Sequence, residues 1–227
     1  FHKGQKLLLG ISGGIDSMVM LHLFLKIRQP VIVAHCNFQL RGKASDEDQK
    51  LVENYCKKRE ISFHAKSFDT RKIKVKSSES IQSLARKLRY DWFEILRLEN
   101  QCDLIAVAHH AQDNIETILQ NMSKGTGIRG ARGILHKNDK IIRPLLPFTR
   151  EKIEKYAQSN DIPYRDDESN QSLKYDRNFI RHKVIPPLME HRKDAIQKMG
   201  IFASRMQDAF TLYQKGVADE LNKIIKI

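Results

Sequence analysis

Apolar positions along the chain fall into short continuous runs and longer periodic ones, in alternation. Leu7-Leu8-Leu9 and VIVAHC (31–36) are short continuous runs, which predicts strands buried on both faces. Between them MVMLHLFLKI (18–27) has the length and pattern of a helix. A helix from Ser45, as N-cap, to about Arg59 follows, then a third strand at ISFHA (61–65) and a helix from Ser78 or Ser80 to about Leu98. In that last helix Ile81, Leu84, Ala85, Leu88, Trp92, Ile95 and Leu96 keep a 3.6-residue beat. DLIAVAHH (103–110) reads as a fourth strand, and ILHKNDKIIRPLLPF (134–148) as two short strands about the turn 137–140. Thr149 caps a further helix, and the beats from Met189 to Ile227 are helical. This order predicts an α/β fold: an open, mostly parallel twisted sheet with helices on both faces, followed by a helical extension. Ligands of such a sheet sit beyond the carboxyl ends of its strands.

The first of those ends carries Ser12-Gly13-Gly14-Ile15-Asp16-Ser17, a glycine turn between strand and helix. Backbone N–H groups of Ser12 to Ser17 lack partners within the helix and converge with its positive end, a natural cradle for a phosphate chain. Ser12 and Ser17 add hydroxyl donors. Asp16 would repel a phosphate, yet it suits the Mg²⁺ that travels with ATP phosphates. Ordinary capping of a βα turn is the alternative reading of the same residues. No G-x-x-x-x-G-K-[ST] run is present, nor a G-x-G-x-x-G followed by an acid at the end of a second strand, which sets aside a Walker loop and a dinucleotide fingerprint.

Charge changes the picture of the partner. Lys and Arg number 40 against 27 acids, a net +13, an excess suited to a polyanion such as RNA or to plain solubility. No apolar run is long enough for a membrane span. Cys36, Cys56 and Cys102 are isolated, with no C-x-x-C, which points to a reducing, cytoplasmic setting and away from a cluster or zinc knuckle built by this chain alone.

Polar residues gather at the other predicted strand ends. His35, Asn37 and Arg41 follow the second strand; His35 reads equally as a buried structural histidine. Lys66, Arg71, Lys72, Lys74 and Lys76 form the most basic stretch, an exposed loop suited to RNA or to solvent. Arg86 and Arg89 lie three apart on one helix and are able to reach a single anion together. After the fourth strand come His109, His110, Asp113 and Glu116, where the two acids share a helix face and read either as ligands for Mg²⁺ with Asp16 or as favourable charges at a helix start. A glycine-rich stretch, 124–133, holds Arg129 and Arg132, and Arg177, Arg181, His182 and Lys183 make another positive edge.

The string S-G-G-x-D-S at 12–17 resembles the pyrophosphate loop of the N-type ATP pyrophosphatases, which split ATP into AMP and pyrophosphate. AHCNFQLRG at 34–42, ARKLRY at 85–90, HHAQDNIET at 109–117, the glycine-rich 124–133 and the polar run through Arg177 and Arg181 resemble, in the expected order, motifs of the tRNA(Ile)-lysidine synthases. Phe38, Gln112 and Asn114 depart from that pattern, standing where His, Asp and Gln are common. The resemblance implies an adenine nucleotide alpha hydrolase-like, Rossmann-like catalytic domain over 1–187 and a helical connector over 188–227. It implies a ligase that joins free L-lysine to C2 of the wobble cytidine in a CAU-anticodon tRNA(Ile), through an adenylated cytidine, with ATP and Mg²⁺. ATP is then held by Ser12, Gly13, Gly14, Ile15, Asp16, Ser17, His35, Asn37 and Arg41. Asp16, Arg86, Arg89, His110, Asp113 and Glu116 carry catalysis, with Asp16, Asp113 and Glu116 on the metal. Lys72, Lys74, Lys76, Arg129, Arg132, Arg177 and Arg181 meet RNA. A homodimer is compatible with this reading; a membrane partner is not. Cytidine 2-thiolation by a related enzyme and a non-catalytic ATP-sensing RNA-binding module are the competing readings.

Overall fold

The computed structural model of the chain describes residues 2, 4–40, 42–69, 80–165 and 176–225. Strands β1 (Leu7–Gly10), β2 (Val31–Asn37), β3 (Phe63–Ser67), β4 (Leu104–Val107), β5 (Lys137–Asn138) and β6 (Ile141–Ile142) form one sheet in the order β3-β2-β1-β4-β6-β5. All neighbours run parallel except β5, which is antiparallel to β6. Chain order therefore reverses across β1, with β2 on one side and β4 on the other, and the carboxyl ends of β1 and β4 frame the crevice where such sheets bind ligands.

Alternation along β1 explains why three leucines sit side by side. Leu7 and Leu9 join the cluster made by helices α1 (Ile15–Lys26) and α2 (Lys43–Lys57), through Met18, Val19, Phe24, Val52 and Tyr55. Leu8 faces the opposite way, into Ile32, Ile105 and the aromatic side chains of Trp92 and Phe93 on helix α3 (Ile81–Glu99). All three leucines are fully buried, as a strand covered by helices on both faces requires. Gly10, the last residue of the strand, has no room for a side chain: a Cβ there would lie 2.6 Å from the Phe93 ring.

Three expected boundaries move. The second helix starts at Lys43 with Gly42 as its N-cap, so Ser45 lies inside the first turn, its amide bonded to the Gly42 carbonyl at 3.0 Å. β3 begins two residues later than ISFHA suggests, because its pairing with β2 runs from Val33 opposite Phe63 to Asn37 opposite Ser67. β4 stops at Val107, which leaves His109 and His110 beyond the strand. Ser80 caps α3 as expected, accepting from the Ser83 amide at 3.1 Å.

The remaining helices are α4 (Ala111–Ser123), α5 (Ile128–Ala131), α6 (Arg150–Ser159), α7 (Asp176–Phe179), a π-helical turn Ile180–Val184, α8 (Ile185–His191) and α9 (Ala195–Ile225). The chain divides into two compact units. Unit one takes Phe1–His109, His136–Leu145 and Arg150–Asp167, and so holds the whole sheet with α1, α2, α3 and α6. Unit two takes His110–Leu135, Leu146–Thr149 and Glu168–Ile227, with its own core of Ile115, Ile118, Ile180, Ile185, Ile196 and Ala203. The boundary expected at 187/188 falls within α8. Among the described residues no helix is long and apolar enough to cross a membrane.

Candidate functional site

The turn between β1 and α1 is wired by Ser17. Its buried hydroxyl donates to the Gly14 carbonyl at 2.8 Å and accepts from the amides of Ser12 and Gly13 at 3.1 and 3.2 Å. Gly13 adopts φ +93°, a conformation L side chains rarely take, and its carbonyl accepts from the backbone N–H of Arg165 at 3.1 Å. The same Arg165 donates from Nε to Asp48 at 3.0 Å and pairs with Glu47, so the segment before residue 166 is fastened both to the turn and to α2. Asp16, in the first turn of α1, receives Nη1 of Arg150 at 2.7 Å.

Beyond the strand ends this turn opens into a cavity of about 380 Å³. Gly10, Ser12, Asp16 and Ser17 line it from β1 and α1, His35, Asn37 and Phe38 from the end of β2, Asp48 from α2, Arg89 and Tyr90 from α3, and His109 from the end of β4. His35 is 3% exposed and bonds through Nδ1 to the Ile11 carbonyl at 2.9 Å. A carbonyl only accepts, so Nδ1 carries the proton and the neutral ring leaves Nε2 as an acceptor. Burial pushes the His35 pKa below its ordinary value, against smaller opposing effects of that carbonyl and Asp48. On the cavity wall Arg89 lies 5.3 Å from the centre of the Phe38 ring, and Phe38 stacks on Phe68 at 5.2 Å.

Unit two holds a second polar centre. Glu116, fully buried, accepts at Oε1 from Arg181 Nε at 2.6 Å, and at Oε2 from Arg177 Nε at 2.6 Å and Arg181 Nη2 at 3.0 Å. Asp113 accepts at Oδ1 from Arg177 Nη2 at 2.7 Å and at Oδ2 from the His110 amide at 2.9 Å, with His110 Nε2 a further 3.6 Å away. Arg181 belongs to the π-helical turn, whose wider winding follows directly on α7. The glycine-rich stretch is stapled to α4: Asn114 Oδ1 accepts from the Ile134 amide at 2.7 Å and Asn121 donates to the Gly130 carbonyl at 3.0 Å.

A glycine turn of this build, opening at a reversal point of a parallel sheet, is matched by the family model of the PP-loop domain over residues 2–188. The chain belongs to the PP-loop family. Within it the chain groups with the tRNA(Ile)-lysidine synthases. It is 43% identical to that of Chlorobaculum tepidum over 218 residues, 92% of this chain and 66% of the relative. It is 44% identical to that of Porphyromonas gingivalis over 192 residues, 84% of this chain and 42% of the relative. The chain thus spans 42–66% of the length of these curated relatives. A solved U34-tRNA thiolase from Methanococcus maripaludis, with its [4Fe-4S] cluster, shares the fold at TM-score 0.76 and 18% identity, over 91% of this chain and 74% of that one. An NH3-dependent NAD synthetase from Campylobacter jejuni does so at 0.54 and 14%, over 89% of each.

Of Ser12, Gly13, Gly14, Ile15, Asp16 and Ser17, the structure puts Ser12, Asp16 and Ser17 on the cavity wall with His35 and Asn37 from the neighbouring strand end, whereas Ile15 packs into the core and the amides of Ser12 and Gly13, expected to face a phosphate, donate to Ser17. Asn37 works locally: its amide donates to Asp46 and Gln49 at 2.9 and 3.2 Å and its oxygen accepts from the Gln39 amide. Arg86 and Arg89 each lie over an aromatic ring, Tyr90 for Arg86 at 4.9 Å and Phe38 for Arg89 at 5.3 Å, and Arg89 lines the cavity. Arg177 and Arg181, expected to meet RNA, are bonded instead to Asp113 and Glu116, expected to meet metal. Among the described residues no three His, Cys, Asp or Glu side chains gather so as to hold a metal ion. Arg132 lies 4.2 Å from the centre of the Phe210 ring and donates to Gln207 at 3.3 Å, whereas Arg129 is exposed. Arg41, Lys72, Lys74 and Lys76 lie outside the described residues. Sequence reasoning gave no role to Asp48, Arg150 or Arg165, although Asp48 and Arg150 lie in stretches that carry the family resemblance.

Proposed function

We propose that this chain is the catalytic part of a tRNA(Ile)-lysidine synthase, which activates the O2 carbonyl of the wobble cytidine with ATP and couples free L-lysine at C2. The carrying observation is the PP-loop at the mouth of a cavity whose walls mix a fixed neutral histidine, an acid and a guanidinium stacked on an aromatic ring. In the first step O2 attacks the α-phosphorus and pyrophosphate leaves; in the second the lysine amine attacks C2, and AMP departs with the oxygen. A carbonyl oxygen is a poor leaving group until it carries AMP; the positive end of α1 and Arg89 supply fixed dipole and charge for the pyrophosphate, whereas the Ser12 and Gly13 amides are taken by the Ser17 hydroxyl.

Magnesium fits one place here. Mg²⁺ is commonly held by one or two carboxylates together with substrate phosphates, and Asp16, partly exposed and already opposite a cation, offers one. When bound, the metal neutralises charge developing on the pyrophosphate. We read Asp113 and Glu116, each opposite two guanidiniums, as a positioning cluster with Arg177, Arg181 and His110. His35, its Nδ1 held by the Ile11 carbonyl, presents Nε2 as an acceptor for a proton from the incoming ammonium. An unpaired wobble base in an anticodon loop reaches the cavity at low unstacking cost. The surplus positive charge supports a tRNA partner.

Against the competing sulfur reading, Cys36, Cys56 and Cys102 are free, and burial pushes the thiols of Cys36 and Cys56 up to about 12 and about 11. Such thiols are poor nucleophiles at neutral pH. Release of AMP from ATP that requires both lysine and a wobble-cytidine tRNA supports the ligase. AMP release that requires a sulfur donor instead supports thiolation, and binding of ATP and tRNA without AMP supports a sensing module.

A further inference from the structure

Asp16 is the acid of the PP-loop, and the group facing it comes from the far end of unit one. Arg150, the first residue of α6, directs Nη1 to Asp16 Oδ2 at 2.7 Å while its Nε donates to Glu154 Oε1 at 2.7 Å. The guanidinium fork is thus shared between a loop carboxylate and a carboxylate one turn along its own helix, which fixes its plane. The side chains of Arg150 and Asp16 are 36% and 24% exposed, open enough for the pair to separate without burying a bare charge. A triphosphate seated at the turn, against the positive end of α1, would bring like charge against Asp16 unless some cation stays with that carboxylate.

We propose that Arg150 is a stand-in cation for the loop: it holds Asp16 until magnesium arrives with ATP, then yields the carboxylate and stays with Glu154. This rests on the reading of the PP-loop as an ATP–magnesium site. Arg150 acts through Asp16 and is a positioning residue. It keeps the carboxylate aimed at the loop mouth, and it lowers the repulsion met by the phosphates before the metal is in place.

The test is the binding of ATP by titration calorimetry, in excess Mg²⁺ and in EDTA, to the wild type and to Arg150→Met, Arg150→Gln, Arg150→Lys and Asp16→Asn. With a neutral side chain at 150, metal-free ATP is expected to bind roughly 10-fold more weakly, because the Asp16 charge loses the guanidinium that faces it, while Mg-ATP keeps or slightly gains affinity because no guanidinium has to be displaced. Arg150→Lys should restore the wild-type ratio between the two conditions. In Asp16→Asn the substitution at 150 should no longer change that ratio. Equal weakening in both conditions by both neutral variants would mark a merely structural role and overturn the proposal, as would loss confined to Mg-ATP. Absence of ATP binding by the folded wild type in either condition would instead remove the nucleotide reading on which the proposal stands.

Discussion

Replacing Glu116 by glutamine is expected to weaken the helical unit far more than a one-atom change suggests. The carboxylate is fully buried and takes three charge-assisted bonds, two at 2.6 Å and one at 3.0 Å, from Arg177 and Arg181. A glutamine amide turns one end from acceptor to donor and meets a guanidinium N–H with an N–H of its own. Hydrogen bonds to charged groups are worth roughly 1.5–3 kcal/mol each, so three set an upper bound of about 4.5–9 kcal/mol. The guanidiniums are 38% and 30% exposed, so water replaces part of what they lose, and Asp113 remains beside them. The expected loss is therefore about 2–4 kcal/mol, near the lower range for a broken buried pair. For a chain of this size that is a fall in Tm of roughly 4–16 °C. Urea unfolding of Glu116→Gln, Arg181→Met and the double variant measures it, and the cycle should show a coupling of at least about 1 kcal/mol. A single variant within about 0.5 kcal/mol of wild type, or additive losses, would refute the network as a stabilising unit.

Burial holds His35 neutral and lowers its pKa in the fold, so the unfolded chain binds the proton more readily; stability is complete above the ordinary histidine value of about 6.5 and declines as pH falls toward the lower folded value. His35→Asn should flatten that acid-side decline in chemical denaturation measured between neutral and mildly acid pH, and an unchanged slope would contradict it. Gly10→Ala would place a methyl 2.6 Å from the packed Phe93 ring and should cost roughly 1–3 kcal/mol in the same unfolding assay. Cys36, its thiol pushed up to about 12, should resist iodoacetamide at neutral pH in the folded protein, as followed by mass spectrometry, and Cys36→Ala should leave AMP formation intact.

Elements governed by local patterning were legible in the sequence. Three adjacent leucines need helices on both faces, SGGIDS needs a turn between strand and helix, and the beat through Leu84, Trp92 and Leu96 needs one buried helix face. β3 was harder to place because it is an edge strand whose Lys66 and Ser67 are exposed, so polarity there looks like loop. Partner choice was less legible still. Positive charge at 177 and 181 and negative charge at 113 and 116 were each assigned an outside partner, phosphate in one case and metal in the other. The fold brings residues more than sixty positions apart together, and opposite charges that meet internally satisfy each other first. Arg150 was hidden for the same reason: nothing local to α6 says that its guanidinium reaches a carboxylate 134 positions earlier.

The central claim is tested most directly on the product nucleoside. The chain is incubated with Mg-ATP, isotopically labelled lysine and a tRNA(Ile) carrying cytidine at the wobble position, and the RNA is digested and its nucleosides weighed. The expected result is a cytidine heavier by lysine minus water, formed with one AMP for each nucleoside and absent when Asp16 is replaced by asparagine. A wobble cytidine that gains sulfur or another amine, or AMP released at the same rate without lysine, would contradict it.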